Sequence, residues 1–197
     1  MFKSRMGENR ICSACLTEPR KFASAIAPGI YAGTLKKAIH QLKYNGAVQL
    51  HKPLGFFLYR FFRSGFNDAM PDVVLPVPLY PSKMMKRGFN QSYLLIKNWP
   101  LYEKSENTAD LLYEIAQDVL IKIKPTPTQA GTSKTIRGES VKGAFAVACP
   151  DRIRNKRILL VDDVLTTGST ADECSKELIK AGASEVHVLT LARTLEY

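Results

Sequence analysis

The chain has 197 residues, 45% of them apolar, which suits one domain of ordinary size with a real core and excludes a disordered chain. Its formal net charge is +10, and the excess is local: residues 1–60 carry ten Lys/Arg against two Asp/Glu, residues 61–197 eighteen against sixteen. No apolar run approaches the ~20 residues that span a bilayer, and the start MFKSRMGENR has no apolar leader core, so neither membrane insertion nor export is expected.

The basic first third has two open readings: a polyanionic partner, nucleic acid or phosphorylated metabolite, or a solvated basic surface. Four cysteines (Cys12, Cys15, Cys149, Cys174) make no dense disulfide framework, and they point to a reducing cytoplasm. Cys12-Ser13-Ala14-Cys15 has the spacing of half a zinc knuckle, while Cys149 and Cys174 stand singly. Residues 1–28 are expected to form a short appendage and residues 29–197 the main domain.

In TLKKAIHQLKYNG, Leu35, Ala38, Ile39 and Leu42 follow helical spacing, and Asn45-Gly46 ends the helix with Lys36, Lys37 and Lys43 on its polar side. QLHKPLGFFLYRFF predicts a second helix, kinked or started near Pro53. DVVLPVP reads as a buried strand closed by prolines, and LYPSKMMKRG as a basic loop. FNQSYLLIKN looks helical up to Trp99-Pro100. NTADLLYEIAQDVL predicts another helix, with VLIKI turning into a strand. PTPTQAGTSKTIRGES holds two Pro, two Gly and six Ser/Thr, the composition of a mobile loop.

The last third is strand, helix, strand: RILLV is buried on both faces, STADECSKELIKAG is amphipathic, and EVHVLTLAR follows. Ligands of such sheets bind beyond the carboxyl ends of the strands. Asp162 and Asp163 are expected at that end, followed by the turn Thr166-Thr167-Gly168-Ser169-Thr170 at the start of the helix. Free N–H groups and the helix dipole suit a phosphate there, and the hydroxyls add donors. Thr170-Ala171-Asp172-Glu173 also fits a capping box, which would give Thr170 a structural role.

Carboxylates accept hydrogen bonds, so paired hydroxyls or a metal are their natural partners. A ribose 5-phosphate offers hydroxyls to Asp162 and Asp163 and a phosphate to the turn. A Walker loop would need a further glycine and a lysine, and the Gly-x-Gly-x-x-Gly turn is absent. A phospho-receiver domain would need several more strands after Asp163 than the remaining 34 residues hold.

The run ILLVDDVLTTGST resembles the phosphoribosyl pyrophosphate motif of the type I phosphoribosyltransferases. Together with YAGTLKKAIHQLKYNG, LPVPLYPSKMMKRGFNQS, TPTQAGTSKTIRGESVKGAF and LTLART, it is similar to the ComF (ComFC) family. That resemblance implies an α/β fold, a mostly parallel twisted sheet flanked by helices, with a Cys-x-x-Cys appendage. It implies binding of phosphoribosyl pyrophosphate with Mg²⁺ and transfer of the phosphoribosyl group to an acceptor that no residue identifies. In such a reaction pyrophosphate leaves the anomeric carbon through an oxocarbenium-like state, so cations around the leaving group carry most of the stabilisation. The resemblance places that group at the loop after Pro76-Val77-Pro78, with Lys83, Lys86 and Arg87 there, Arg87 as the bidentate contact, and Lys43 approaching. The loop from Gln129 to Arg137 resembles the family's lid, with Arg137 as its basic planar group, although Ser140 replaces an asparagine found in relatives.

Family members often carry two cysteine pairs as a zinc site. Here the second pair is missing, so Zn²⁺ at Cys12 and Cys15 would need two further ligands, and a degenerate remnant is the expectation. The family is associated with natural transformation. Single-stranded DNA along the basic first third is therefore the alternative reading, with the sugar-phosphate site regulating rather than catalysing. Sheets of this type commonly pair, so a homodimer is also considered. His40, His51 and His187 are isolated, and none presents itself as a general base.

Overall fold

A computed structural model describes residues 2–3, 9–10, 19–66, 70–106, 113–126 and 141–195. Phe2–Lys3 (β1) and Asn9–Arg10 (β2) pair antiparallel. The main sheet runs β3-β10-β9-β5-β6, formed by Ser24–Ile26 (β3), Val73–Pro76 (β5), Glu114–Ile115 (β6), Arg157–Leu165 (β9) and Glu185–Arg193 (β10). Gly29–Ile30 (β4) continues the β3 edge along β10, and every pairing in this sheet is parallel. Because β3 precedes residue 29, the sheet takes in the last residues of the segment expected to be an appendage.

RILLV shows no polar alternation because both faces of β9 are covered. Ile158 and Leu160 join a core with Leu75, Val186, Val188 and the Ala171, Cys174 and Leu178 stripe of helix Ser169–Lys180 (α6). Leu159 and Val161 face the other core, built on Ile39 and Leu42 of Gly33–Tyr44 (α1) and Leu58 and Phe62 of His51–Gly65 (α2). Trp99 seals that side: it is fully buried, stacks on Phe62 at 4.6 Å, and donates its Nε1–H to Gly55 O at 3.3 Å. Gly55 is required there, since a Cβ would lie 2.6 Å from Leu95 O on helix Gln91–Ile96 (α4). The helices expected over the first sixty residues form, and α2 starts two residues before Pro53.

Four expectations need correction. The basic loop after Pro78 contains a helix, Pro81–Arg87 (α3), because Pro81 opens its first turn and Gly88, at φ 80°, closes it. Trp99-Pro100 does not only end a helix; it begins another, Trp99–Ser105 (α5), with proline tolerated in the first turn. The helix predicted over NTADLLYEIAQDVL is not formed from residue 113 onward: Glu114 and Ile115 pair with Val73 and Val74, and Glu114 N–H donates to Asp72 O at 3.0 Å. Here the unpaired edge of β5 outweighs local helical spacing; residues 107–112 of that stretch lie outside the described residues. Finally, β9 does not end at Val161 but continues through Leu165 along β10.

The strand predicted in VLIKI is Leu120–Lys122 (β7), which forms an antiparallel hairpin with Phe145–Val147 (β8). The hairpin packs on α6 through Leu120 and Phe145.

Candidate functional site

The site arises where β5 leaves β9. Pro76 is the last β5 residue paired with β9, opposite Val161, and Val77 N–H still donates to Val161 O at 2.8 Å. Beyond that point, among the described residues, β9 pairs with β10 alone, Asp162 opposite Thr190 and Val164 opposite Ala192. The gap left by β5 opens beside the two carboxylates.

The two carboxylates are neighbours inside β9 and lie close enough to interact, the charge of Asp163 acting directly on Asp162. Asp163 turns to the α1 side and is 3% exposed; the Lys43 ammonium forms an ion pair with its Oδ2, an atom with no aligned hydrogen bond. Asp162 is half-buried, and its Oδ1 accepts from Ser92 Oγ and from Asp163 N–H, both at 2.9 Å. Burial, then the charge of Asp163, pushes the Asp162 carboxyl up to about 7, with Lys43 opposing. Burial disfavours the charge on Lys43, but Asp163 and Asp162 outweigh it, so the ammonium titrates above the usual lysine range.

The turn after β9 is held by its own groups. Gly168 adopts φ 79° at the N-terminus of α6, where no side chain caps the helix. Thr167 Oγ1 and Ser169 Oγ hydrogen-bond at 2.9 Å, and Arg20 Nη2 donates to Thr167 O at 3.3 Å. Thr166 and Thr170 are half-buried beside them. The capping box does not form: Thr170 lies inside the first turn, and Glu173 accepts instead from Gly143 N–H at 2.7 Å.

The cationic side comes from α3 and β7. Lys83 Nζ donates to Thr126 O at 3.1 Å, while Arg87 donates to Gln91 Oε1 and lies 5.3 Å from the Tyr44 ring centre. Lys86 is exposed. Lys122 Nζ donates to Thr126 Oγ1 at 2.7 Å. Sequence reasoning missed Lys122, Thr126 and Ser92; Lys122 and Thr126 are four residues apart, but Ser92 lies thirty residues before Lys122, and the alternation of LIK only puts Lys122 on the face of buried Leu120. Arg137, Cys12 and Cys15 lie outside the described residues. His51 and His187 are engaged elsewhere, with Val48 O at 2.6 Å and Ser24 Oγ at 2.8 Å. Among the described residues, no three His, Cys, Asp or Glu gather as a metal cluster.

Comparison with known proteins bears on this geometry. The phosphoribosyl transferase domain family matches residues 106–197, the half carrying the carboxylates and the turn. Competence protein F of Haemophilus influenzae is 31% identical over 92% of this chain and 78% of its own length. The chain belongs to the ComF family. Other ComF relatives are DNA utilization protein YhgH of Escherichia coli K12, 32% identical over 93% of this chain and 78% of that protein, and competence protein ComFC of Bacillus subtilis, 26% identical over 83% and 62%. This ComF member has a type I phosphoribosyltransferase-like fold, a parallel sheet flanked by helices. Among its described residues, no helix is long and apolar enough to cross a membrane.

Proposed function

We propose that this ComF-family protein binds phosphoribosyl pyrophosphate together with Mg²⁺ and transfers its phosphoribosyl group to an acceptor. The observation that carries the reading is the continuity of one strand, turn and helix. A half-buried carboxylate, Asp162, sits four residues before a glycine turn whose Thr167 and Ser169 hydroxyls bond each other. That run offers a hydroxyl acceptor at one end and a phosphate cradle at the other. Thr167 and Ser169 would exchange their mutual bond for phosphate oxygens, with Thr166 and Thr170 adding donors. Asp162, held by Ser92, would accept from the ribose hydroxyls, and Lys83, Lys86 and Arg87 would face the diphosphate.

The donor set fits Mg²⁺. Two carboxylates with no third acidic group clustered on them among the described residues suit a cation that completes its shell from ligand phosphates and water. The Lys43 ammonium against Asp163 marks the same place as one that takes positive charge. Asp162 and Asp163 would hold the ion, which neutralises charge on the departing diphosphate. Zn²⁺ at Cys12 and Cys15 would need two more ligands from elsewhere.

Calorimetric titration of phosphoribosyl pyrophosphate with Mg²⁺ against wild type and Asp162→Asn tests the reading. Loss of at least about tenfold in affinity is expected, the worth of one charged hydrogen bond. Equal affinity removes the claim.

A second reading rests on the exposed face of α1. Lys36, Lys37, His40 and Tyr44 are all exposed there, with the His40 and Tyr44 rings 4.7 Å apart, a basic and aromatic surface of the kind that stacks single-stranded DNA. The names of the relatives, competence and DNA utilization, point the same way. Filter binding over a salt series checks it: steep weakening with salt is expected, and a flat response rejects it.

A further inference from the structure

We propose that Lys122 joins Lys83 to form a two-lysine seat for a diphosphate, so that β7 as well as α3 holds the charged end of the ligand; this rests on the sugar-phosphate reading above. The two side chains reach the same residue from different elements. Lys83 comes from the helix after Pro76-Val77-Pro78 and donates to the Thr126 carbonyl at 3.1 Å. Lys122 comes from the hairpin and donates to the Thr126 hydroxyl at 2.7 Å. Thr126 is itself buried, so neither contact is a casual surface encounter. The Phe145 ring, 5.0 Å from Lys122 Nζ, steadies that ammonium from the side.

Two ammonium groups on one neutral residue repel each other, and an arrangement that only anchored Thr126 would need one donor. Among the described residues, no carboxylate forms an ion pair with either lysine. The lysines feel the crowding: burial and then Arg87 hold Lys83 below its usual range, and burial and then Lys83 do the same to Lys122. Lys83 stands on the helix that follows the point where β5 leaves β9, Pro76 opposite Val161, which sets the pair beside the carboxylate gap rather than on a remote surface. A polyanion with two adjacent charged groups relieves both lysines at once; a single carboxylate or a neutral sugar does not.

Two probes separate this proposal from the reading beneath it: inorganic pyrophosphate with Mg²⁺, which tests the lysine seat, and ribose 5-phosphate, which tests the Gly168 turn. Both are titrated calorimetrically against wild type, Lys122→Met, Lys122→Gln and Lys122→Arg. Pyrophosphate affinity is expected to fall roughly tenfold or more in the Met and Gln variants and by less than about threefold in the Arg variant, while ribose 5-phosphate stays within about twofold. Unchanged ribose 5-phosphate binding certifies the fold, and Lys122→Gln, which keeps a donor for Thr126, covers the case in which Lys122→Met unfolds. Pyrophosphate binding that ignores Lys122, or is absent in wild type, overturns the seat even if ribose 5-phosphate binds. Loss of single-stranded DNA binding with pyrophosphate untouched overturns it as well. Failure of ribose 5-phosphate alone sinks the sugar-phosphate reading and leaves the seat standing.

Discussion

The two walls of the gap beside β9 handle charge in opposite ways. On the acidic wall the carboxylates and two of the turn hydroxyls have internal partners: Asp163 has Lys43, Asp162 has Ser92, and Thr167 has Ser169. On the cationic wall Lys83 and Lys122 donate to a neutral carbonyl and a neutral hydroxyl, and among the described residues neither has a carboxylate in an ion pair. In a chain of net charge +10, the scarce negative charges are neutralised in place and the abundant positive ones are left waiting. A ligand therefore has to displace contacts on one wall and supplies missing ones on the other, which makes a polyanion that brings its own cation the natural occupant.

Breaking the acidic wall should have the largest effect. Lys43→Met leaves Asp163, 3% exposed, without its cation, and removing one partner of a buried pair costs about 3–5 kcal/mol. Urea unfolding should show that loss in Lys43→Met and recover most of it in Lys43→Met/Asp163→Asn; a double variant as weak as the single one would mean the two groups are not coupled. The pH dependence has a definite sign. Lys43 is raised above 10.5, so its contribution is complete below that pH and is lost as pH climbs through the shifted value. The gap between wild type and Lys43→Met should narrow once the pH climbs past the ordinary lysine range.

Asp162→Asn sharpens the contrast from the other direction. With its carboxyl pushed up to about 7, folded Asp162 keeps a proton that the unfolded chain releases from about pH 4 upward. The folded state binds more protons in that window, so wild-type stability falls as pH rises from about 4 to 7 and stays low above it. The Asn variant should lack that slope and gain about 2–4 kcal/mol at pH 8, a rise of several degrees in Tm, with little change at pH 4. Such a gain also means that lost ligand affinity in this variant is not a folding defect. Parallel thermal melts across pH give the answer, and identical profiles would remove Asp162 as the source of strain.

How much of this was legible beforehand depends on sequence separation. The β9, turn, α6 and β10 unit was readable because RILLV, the Gly168 turn and the Ala171, Cys174, Leu178 stripe are local patterns with one physical solution. The family resemblance extended that to most of the chain. Helix α3 was not readable, because a seven-residue helix with no buried side chain has no apolar stripe to reveal it. Strand β6 was misread because Glu114-Ile115 takes its conformation from the edge of β5, whose paired residues Val73 and Val74 lie 41 residues earlier in the chain. The place of Asp162 and Asp163 inside a strand, and not at its end, followed from β9 running on to Leu165, a length set by pairing with β10. Lys122 carries no motif at all; its position is meaningful only once Thr126 and Lys83 are beside it.

Gly168→Ala tests the turn by backbone strain alone and should have the smallest effect. An added Cβ would find its nearest neighbours, Leu165 Cδ1 and Phe22 Cζ, at 4.0 Å, so there is room for it. What opposes it is φ 79°, where an L side chain costs about 1–2 kcal/mol. The loss should be the same at every pH, because no titrating group gains or loses a partner. That flat profile separates it from Lys43→Met and Asp162→Asn, whose effects carry a pH signature. Ribose 5-phosphate affinity should fall along with stability if the turn must keep its left-handed glycine to present the α6 N–H groups. A variant that loses stability yet binds the sugar phosphate as before would move the phosphate away from this turn.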